Sequence, residues 1–150
     1  MSIRRAKDFL TVAVTGILVL SACAESAPPG PDIQVEEAWV REVAGPNVNT
    51  AAYMTLRNTG SAPDRLTGAR SEIARMTGLH RTTIDERGLA RMNEVEALDL
   101  PAGGTAALEP GGFHIMLMGV GSLVEGDTVH LTLLLDVSDS VHVAAEVRPF

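Results

Sequence analysis

Apolar and polar residues alternate most clearly near the end of the chain. In Val129 to Asp136, the residues Val129, Leu131, Leu133 and Leu135 share one face. In Val141 to Arg148, the residues Val141, Val143, Ala145 and Val147 do the same. Period two over such lengths predicts half-buried antiparallel strands. Shorter β-prone runs precede them: Val35 to Arg41, Ala51 to Asn58, Arg65 to Ala69, Leu79 to Ile84 and Leu89 to Val95. The last two flank Asp85-Glu86-Arg87-Gly88, which reads as a hairpin turn, and Pro101 to Gly104 and Pro110 to Gly112 read as further turns. Only Ile73 to Gly78 hints at a helix. Strands and turns at this spacing predict an all-β fold, a Greek-key sandwich or barrel.

The N-terminus has a different pattern. Arg4, Arg5 and Lys7 precede Phe9 to Leu20, an apolar run of 12 residues. That is shorter than the roughly 20 a membrane-spanning helix needs, and it reads as an export signal over Met1 to Ala22. The run ends in Leu20-Ser21-Ala22-Cys23, which resembles the lipobox of bacterial lipoproteins. Cys23 is the expected lipidation site, residues 23–32 a Pro- and Gly-containing tether, and residues 33–150 one folded domain. The expected location is the extracytoplasmic face of a bacterial membrane.

Removing the signal takes a net +2 from a whole-chain charge of −7, leaving −9. An acidic chain lacks the basic footprint that nucleic-acid binding requires. After Lys7 there is no lysine, and Cys23 is the only cysteine. Schiff-base chemistry, structural disulfides and multi-thiolate metal sites are therefore excluded from the mature domain. No phosphate loop with lysine, no HExxH and no G-x-S-x-G occurs, so no enzyme class is indicated.

The candidate chemistry lies in histidine and methionine. His130 and His142 alternate with core positions and should face solvent. In Phe113 to Met118, a strand would place His114, Met116 and Met118 on one face and Phe113, Ile115 and Leu117 on the other. His80 and Met92 flank the hairpin turn, which would bring their strands side by side, with the register open. Imidazoles and thioethers together form a soft donor set suited to Cu(I).

The spacing is His80, then Met92 twelve positions on, then 21 intervening residues, then His114-Ile115-Met116. This resembles the motif of the PCuAC family of extracytoplasmic copper chaperones. Ala38 to Arg41, Ala51 to Met54, Pro101 to Gly104, Pro110 to Gly119 and Glu125 to Val129 also look like that family. The resemblance implies a cupredoxin-like β-sandwich that binds one Cu(I) through His80, Met92, His114 and Met116. It also implies delivery to the copper centres of cytochrome oxidase, alongside a Sco-type protein. A copper buffer or resistance protein would carry the same ligands, and a structural lipoprotein would use these residues only for packing. The chain departs from the family in having Arg81 where Met often follows the first histidine, and in ending without a His- and Met-rich tail. Core packing is the first expectation for Met118 and an auxiliary sulfur ligand the second.

Overall fold

A computed structural model of the chain describes residues 29–150. The export signal, Cys23 and most of the tether lie outside the described residues. The domain consists of ten strands: β1 (Ile33–Arg41), β2 (Val48–Asn58), β3 (Asp64–Arg70), β4 (Met76–Ile84), β5 (Ala90–Glu94), β6 (Leu98–Leu100), β7 (Thr105–Leu108), β8 (Phe113–Val120), β9 (Thr128–Leu135) and β10 (Val141–Arg148). They form one hydrogen-bonded order, β5-β4-β8-β7-β2-β1-β10-β9-β3-β6. β2 is shared: its first half pairs with β8 and its second half with β7. Among the described residues there is no helix.

The sheet closes over one core. Leu79 of β4, Ile115 and Leu117 of β8, and Ala52, Met54 and Leu56 of β2 meet Leu66 of β3, Leu131 and Leu133 of β9, and Ala145 and Val147 of β10. The alternation in β9 and β10 is what buries Val129, Leu131, Leu133, Val143, Ala145 and Val147. The chain is thus all-β, a mixed sheet of ten strands around one core.

The helix hinted at by Ile73 to Gly78 does not form. Met76 to Gly78 pair with Met116 to Met118 and open β4. Their backbone groups gain a full ladder there, whereas a six-residue helix ending in glycine has almost none of its own. β6 and β7 are additional short strands, lying on either side of the Pro101 turn. The residues just before β1 are also tied to the fold. The Gly30 carbonyl accepts from the Ser61 N–H at 2.8 Å, and the Asp32 carbonyl from the Thr59 N–H at 2.8 Å. A Cβ on Gly60 would lie 2.1 Å from the Gly30 oxygen, so only glycine allows this approach.

Two buried polar residues lock this end of the fold. Asn58 accepts from the N–H groups of Asp32 and Gly60 and donates to the carbonyls of Ala62 and Leu100, all at 2.8–3.1 Å. The Asp64 carboxylate accepts from the N–H groups of Arg65, Asp136, Val137 and Ser138. Burial alone would raise the Asp64 pKa. The adjacent Ser138 side chain and the N–H groups of Arg65, Val137 and Ser138 outweigh it and hold the carboxyl below its usual range.

A bulge in β1 matters for the opposite face. Glu36 pairs with Thr55 and Trp39 with Tyr53, so Glu37 and Ala38 stand against Met54 alone, and Glu37 takes a left-handed φ of 52°. The extra residue turns Trp39 onto the same face as Tyr53 and leaves Val40 fully buried.

Candidate metal centre

The register between β4 and β8 places His80 opposite His114, Gly78 opposite Met116, and Met76 opposite Met118. β5 places Met92 opposite Thr82 and Glu94 opposite His80. Strand alternation sends all these side chains to the face away from Leu79, Ile115 and Leu117. One face of β4 and β8 thus builds the core and the other gathers the imidazoles and thioethers.

His114 is only 3% exposed. Its Nδ1 lies 3.2 Å from the Gly112 carbonyl oxygen. A carbonyl only accepts, so Nδ1 carries the hydrogen and Nε2 carries the lone pair. That Nε2 is buried and has no protein partner. Burial lowers the pKa of His114; the Gly112 hydrogen bond opposes this, and nearby His80 adds to it. The ring is therefore held neutral, the form in which imidazole binds a metal.

His80 is half-buried, and its Nδ1 is also buried without a partner. The two imidazole centroids are 6.0 Å apart and the planes differ by 20°. The His80 ring lies over Gly78. A Cβ there would come within 2.8 Å of Cε1 and 3.2 Å of Nδ1, so the missing side chain is what accommodates the ring.

A cavity of about 170 Å³ adjoins His114, and its lining includes Met92, Met116, Tyr53, Arg41 and Thr82. His80 stands just outside that lining, across the β4–β8 pair. Met92 is 51% exposed on β5, an edge strand with every residue exposed. The structure therefore gathers His114, Met116 and Met92 around one space, with His80 beside them. Among the described residues, no three His, Cys, Asp or Glu side chains converge on a point. The thioethers are what make this donor set distinctive, and it suits a soft ion.

The remaining sequence expectations fall as follows. Arg81 points to the other face, its guanidinium carbon 5.0 Å from the centroid of the Phe113 ring, so its charge is aimed away from the imidazoles. Met118 is half-buried on the site face and is not part of the core, so packing there is not its role. His130 and His142 are exposed, as expected, on a groove of about 790 Å³ along β9 and β10. This groove is larger than the cavity beside His114, but its histidines are solvated and His142 already meets the Thr132 hydroxyl at 3.1 Å.

Trp39, Tyr53, Gly78 and Met76 were not among the candidate residues. Trp39 and Tyr53 have ring centroids 4.6 Å apart, and Tyr53 and His114 6.3 Å. Tyr53 shares a strand face with Ala51, but its nearness to His114 depends on the β2–β8 register, which only the structure supplies.

Comparison with known proteins agrees with this architecture. Residues 33–147 match the family model described as "Putative lipoprotein LpqE-like". "Putative lipoprotein Lxx21020" of Leifsonia xyli subsp. xyli is 36% identical, over 93% of this chain and 89% of that protein. Among solved structures, apo-DR1885 from Deinococcus radiodurans is 33% identical, with a TM-score of 0.55, over 98% of this chain and 96% of that one. The CuI-DR1885 structure is 36% identical, with a TM-score of 0.58, over 85% and 83%. The copper-bound PCuAC domain from PmoF2 shares the fold, with a TM-score of 0.64 at 24% identity over 79% of this chain and 93% of that domain. By the extent of these matches, the chain belongs to the LpqE-like lipoprotein family, and its domain has the PCuAC fold.

Proposed function

We propose that the protein is a Cu(I) metallochaperone, exported and held by lipid at Cys23 on the extracytoplasmic face of a membrane. His80, Met92, His114 and Met116 are its ligands. The observation that carries this reading is the buried, partnerless Nε2 of His114 beside Met116 and Met92, with a second partnerless imidazole nitrogen on His80. A buried nitrogen without a hydrogen bond is costly unless a ligand completes it. Two thioethers favour Cu(I) over Zn(II), which prefers thiolate, imidazole and carboxylate. The relatives of known structure described as copper-bound or CuI forms support the same ion.

The cargo is held rather than transformed, so the role is binding and transfer, not catalysis. Exposure of Met92 on the edge strand supports delivery over simple storage, since a recipient can approach that sulfur directly. The recipients implied by the family resemblance are a Sco-type protein and the copper centres of cytochrome oxidase.

Anaerobic Cu(I) titration of the wild type and of alanine variants at the four positions tests the site. One tight equivalent is expected, weakened about tenfold or more by each substitution. His130→Ala or His142→Ala weakening the binding as much as His114→Ala would overturn the assignment. Transfer to an apo Sco-type protein separates delivery from buffering: a buffer retains the ion. Cys23→Ala should abolish incorporation of fatty-acid label, and label retained by that variant would refute the anchor.

A further inference from the structure

One cross-strand row beyond Gly78 and Met116 stand Met76 and Met118, opposite each other on the same face. Met76 is 66% exposed, and Met118 is half-buried outside the core. Neither thioether is used for interior packing. Directly opposed residues in an antiparallel pair have Cβ atoms about 4.5–5.5 Å apart, so two flexible thioethers there can close on one ion. The next side chain in that row is Asn49, opposite Met118 on β2. Its Oδ1 is already taken by the Gly119 N–H at 3.1 Å.

The row is also continuous with the inner ligands. Met118, Met116 and His114 succeed one another on β8 at two-residue steps, about 6.6–6.8 Å each. On β4, Gly78 carries no side chain between Met76 and His80, and the space over it is taken by the His80 ring and the Glu94 carboxylate. Along β8, Met116 therefore stands between the outer methionine pair and the buried imidazole.

We propose that Met76 and Met118 form a second, outer Cu(I) site, through which the ion enters or leaves the His80, Met92, His114 and Met116 centre. This rests on the function proposed above. With two neutral sulfur donors and open solvent, the outer site binds at least about tenfold more weakly than the inner one, so it fills only after the first equivalent.

The test is an anaerobic Cu(I) titration of the full-length protein labelled with ¹³C at its methionine methyls. The first equivalent should shift the Met92 and Met116 methyls, and further Cu(I) should shift those of Met76 and Met118. Met76→Leu should keep the first-equivalent affinity within about threefold, abolish the shift of the Met118 methyl and slow loading from a Cu(I) chelate several-fold, and Met118→Leu should do the same with the Met76 methyl as reporter. Met76 and Met118 methyls that stay fixed under excess Cu(I) would overturn the outer site, as would a Met118 methyl that still shifts in Met76→Leu. If the Met92 and Met116 methyls failed to shift with the first equivalent, the inner assignment would fall instead. Because Met76 is exposed, its single variant keeps the test valid if Met118→Leu impairs folding.

Discussion

Asn58, Asp64 and His114 are all buried polar side chains, yet they are treated in opposite ways. Asn58 completes four hydrogen bonds with backbone groups from separate segments, and Asp64 accepts from four N–H groups. His114 completes one, through Nδ1, and leaves Nε2 open. Where a buried polar group is fully paired, removing it strands its partners, and the loss appears in stability. Where it is left open, removing it strands little, and the loss appears in ligand binding. The difference separates residues that hold the fold from those that hold something else.

Asn58→Leu gives the sharpest contrast. It would leave two N–H groups and two carbonyls without partners, at a cost of about 3–4 kcal/mol in denaturant unfolding. A cost below about 1 kcal/mol would show that water replaces the side chain.

His114→Leu should do the reverse. Apo stability should stay within about 1 kcal/mol of wild type or rise, because the Gly112 carbonyl keeps its bond from the Thr82 N–H at 3.0 Å. Cu(I) affinity should fall about a hundredfold, equivalent to about 2.7 kcal/mol. A stability loss matching that of Asn58→Leu would erase the distinction.

Acidification gives a smaller contrast. The Asp64 pKa is depressed in the folded state, so the unfolded chain takes up the proton first. Its stabilisation is complete above the ordinary carboxylate range and drains away as pH falls through that range towards the folded value. Asp64→Asn should be less stable than wild type at neutral pH and should lose this segment of the acid dependence. Parallel stability curves for the two proteins would reject the account.

Arg81→Met should have the smallest effect. The guanidinium packs on Phe113, on the face opposite His80 and His114. Cu(I) affinity should stay within about threefold, and stability should drop by about 0.5–1 kcal/mol through the lost cation–π contact. A tenfold gain in affinity would show that residue 81 reaches the ion after all.

The candidate site could be read from sequence as spacing but not as geometry. The period-two runs of β9 and β10 predict their burial because one sheet face is dry and the other wet. His114, Met116 and Met118 share a face for the same reason. The opposition of His80 to His114 and of Met92 to Thr82 is set by pairing register, which local pattern leaves open. Asn58 reads in sequence as a turn residue ending β2, and nothing local shows that Leu100 and Ala62 converge on its amide. β7 is Thr105-Ala106-Ala107-Leu108, too short and too poor in branched residues to announce itself, and it exists because half of β2 is there to pair with it.

The bulge in β1 also makes the protein observable by fluorescence. Trp39 is the only tryptophan of the chain, so its emission is not mixed with that of another indole. Turned outward at Glu37, it lies 4.6 Å from Tyr53, whose ring is 6.3 Å from that of His114. An ion bound at His114, or a protein docked over Tyr53, changes the surroundings of the fluorophore through one intervening ring. Steady-state emission can therefore follow loading and release on the unlabelled protein, and His114→Leu supplies the blank.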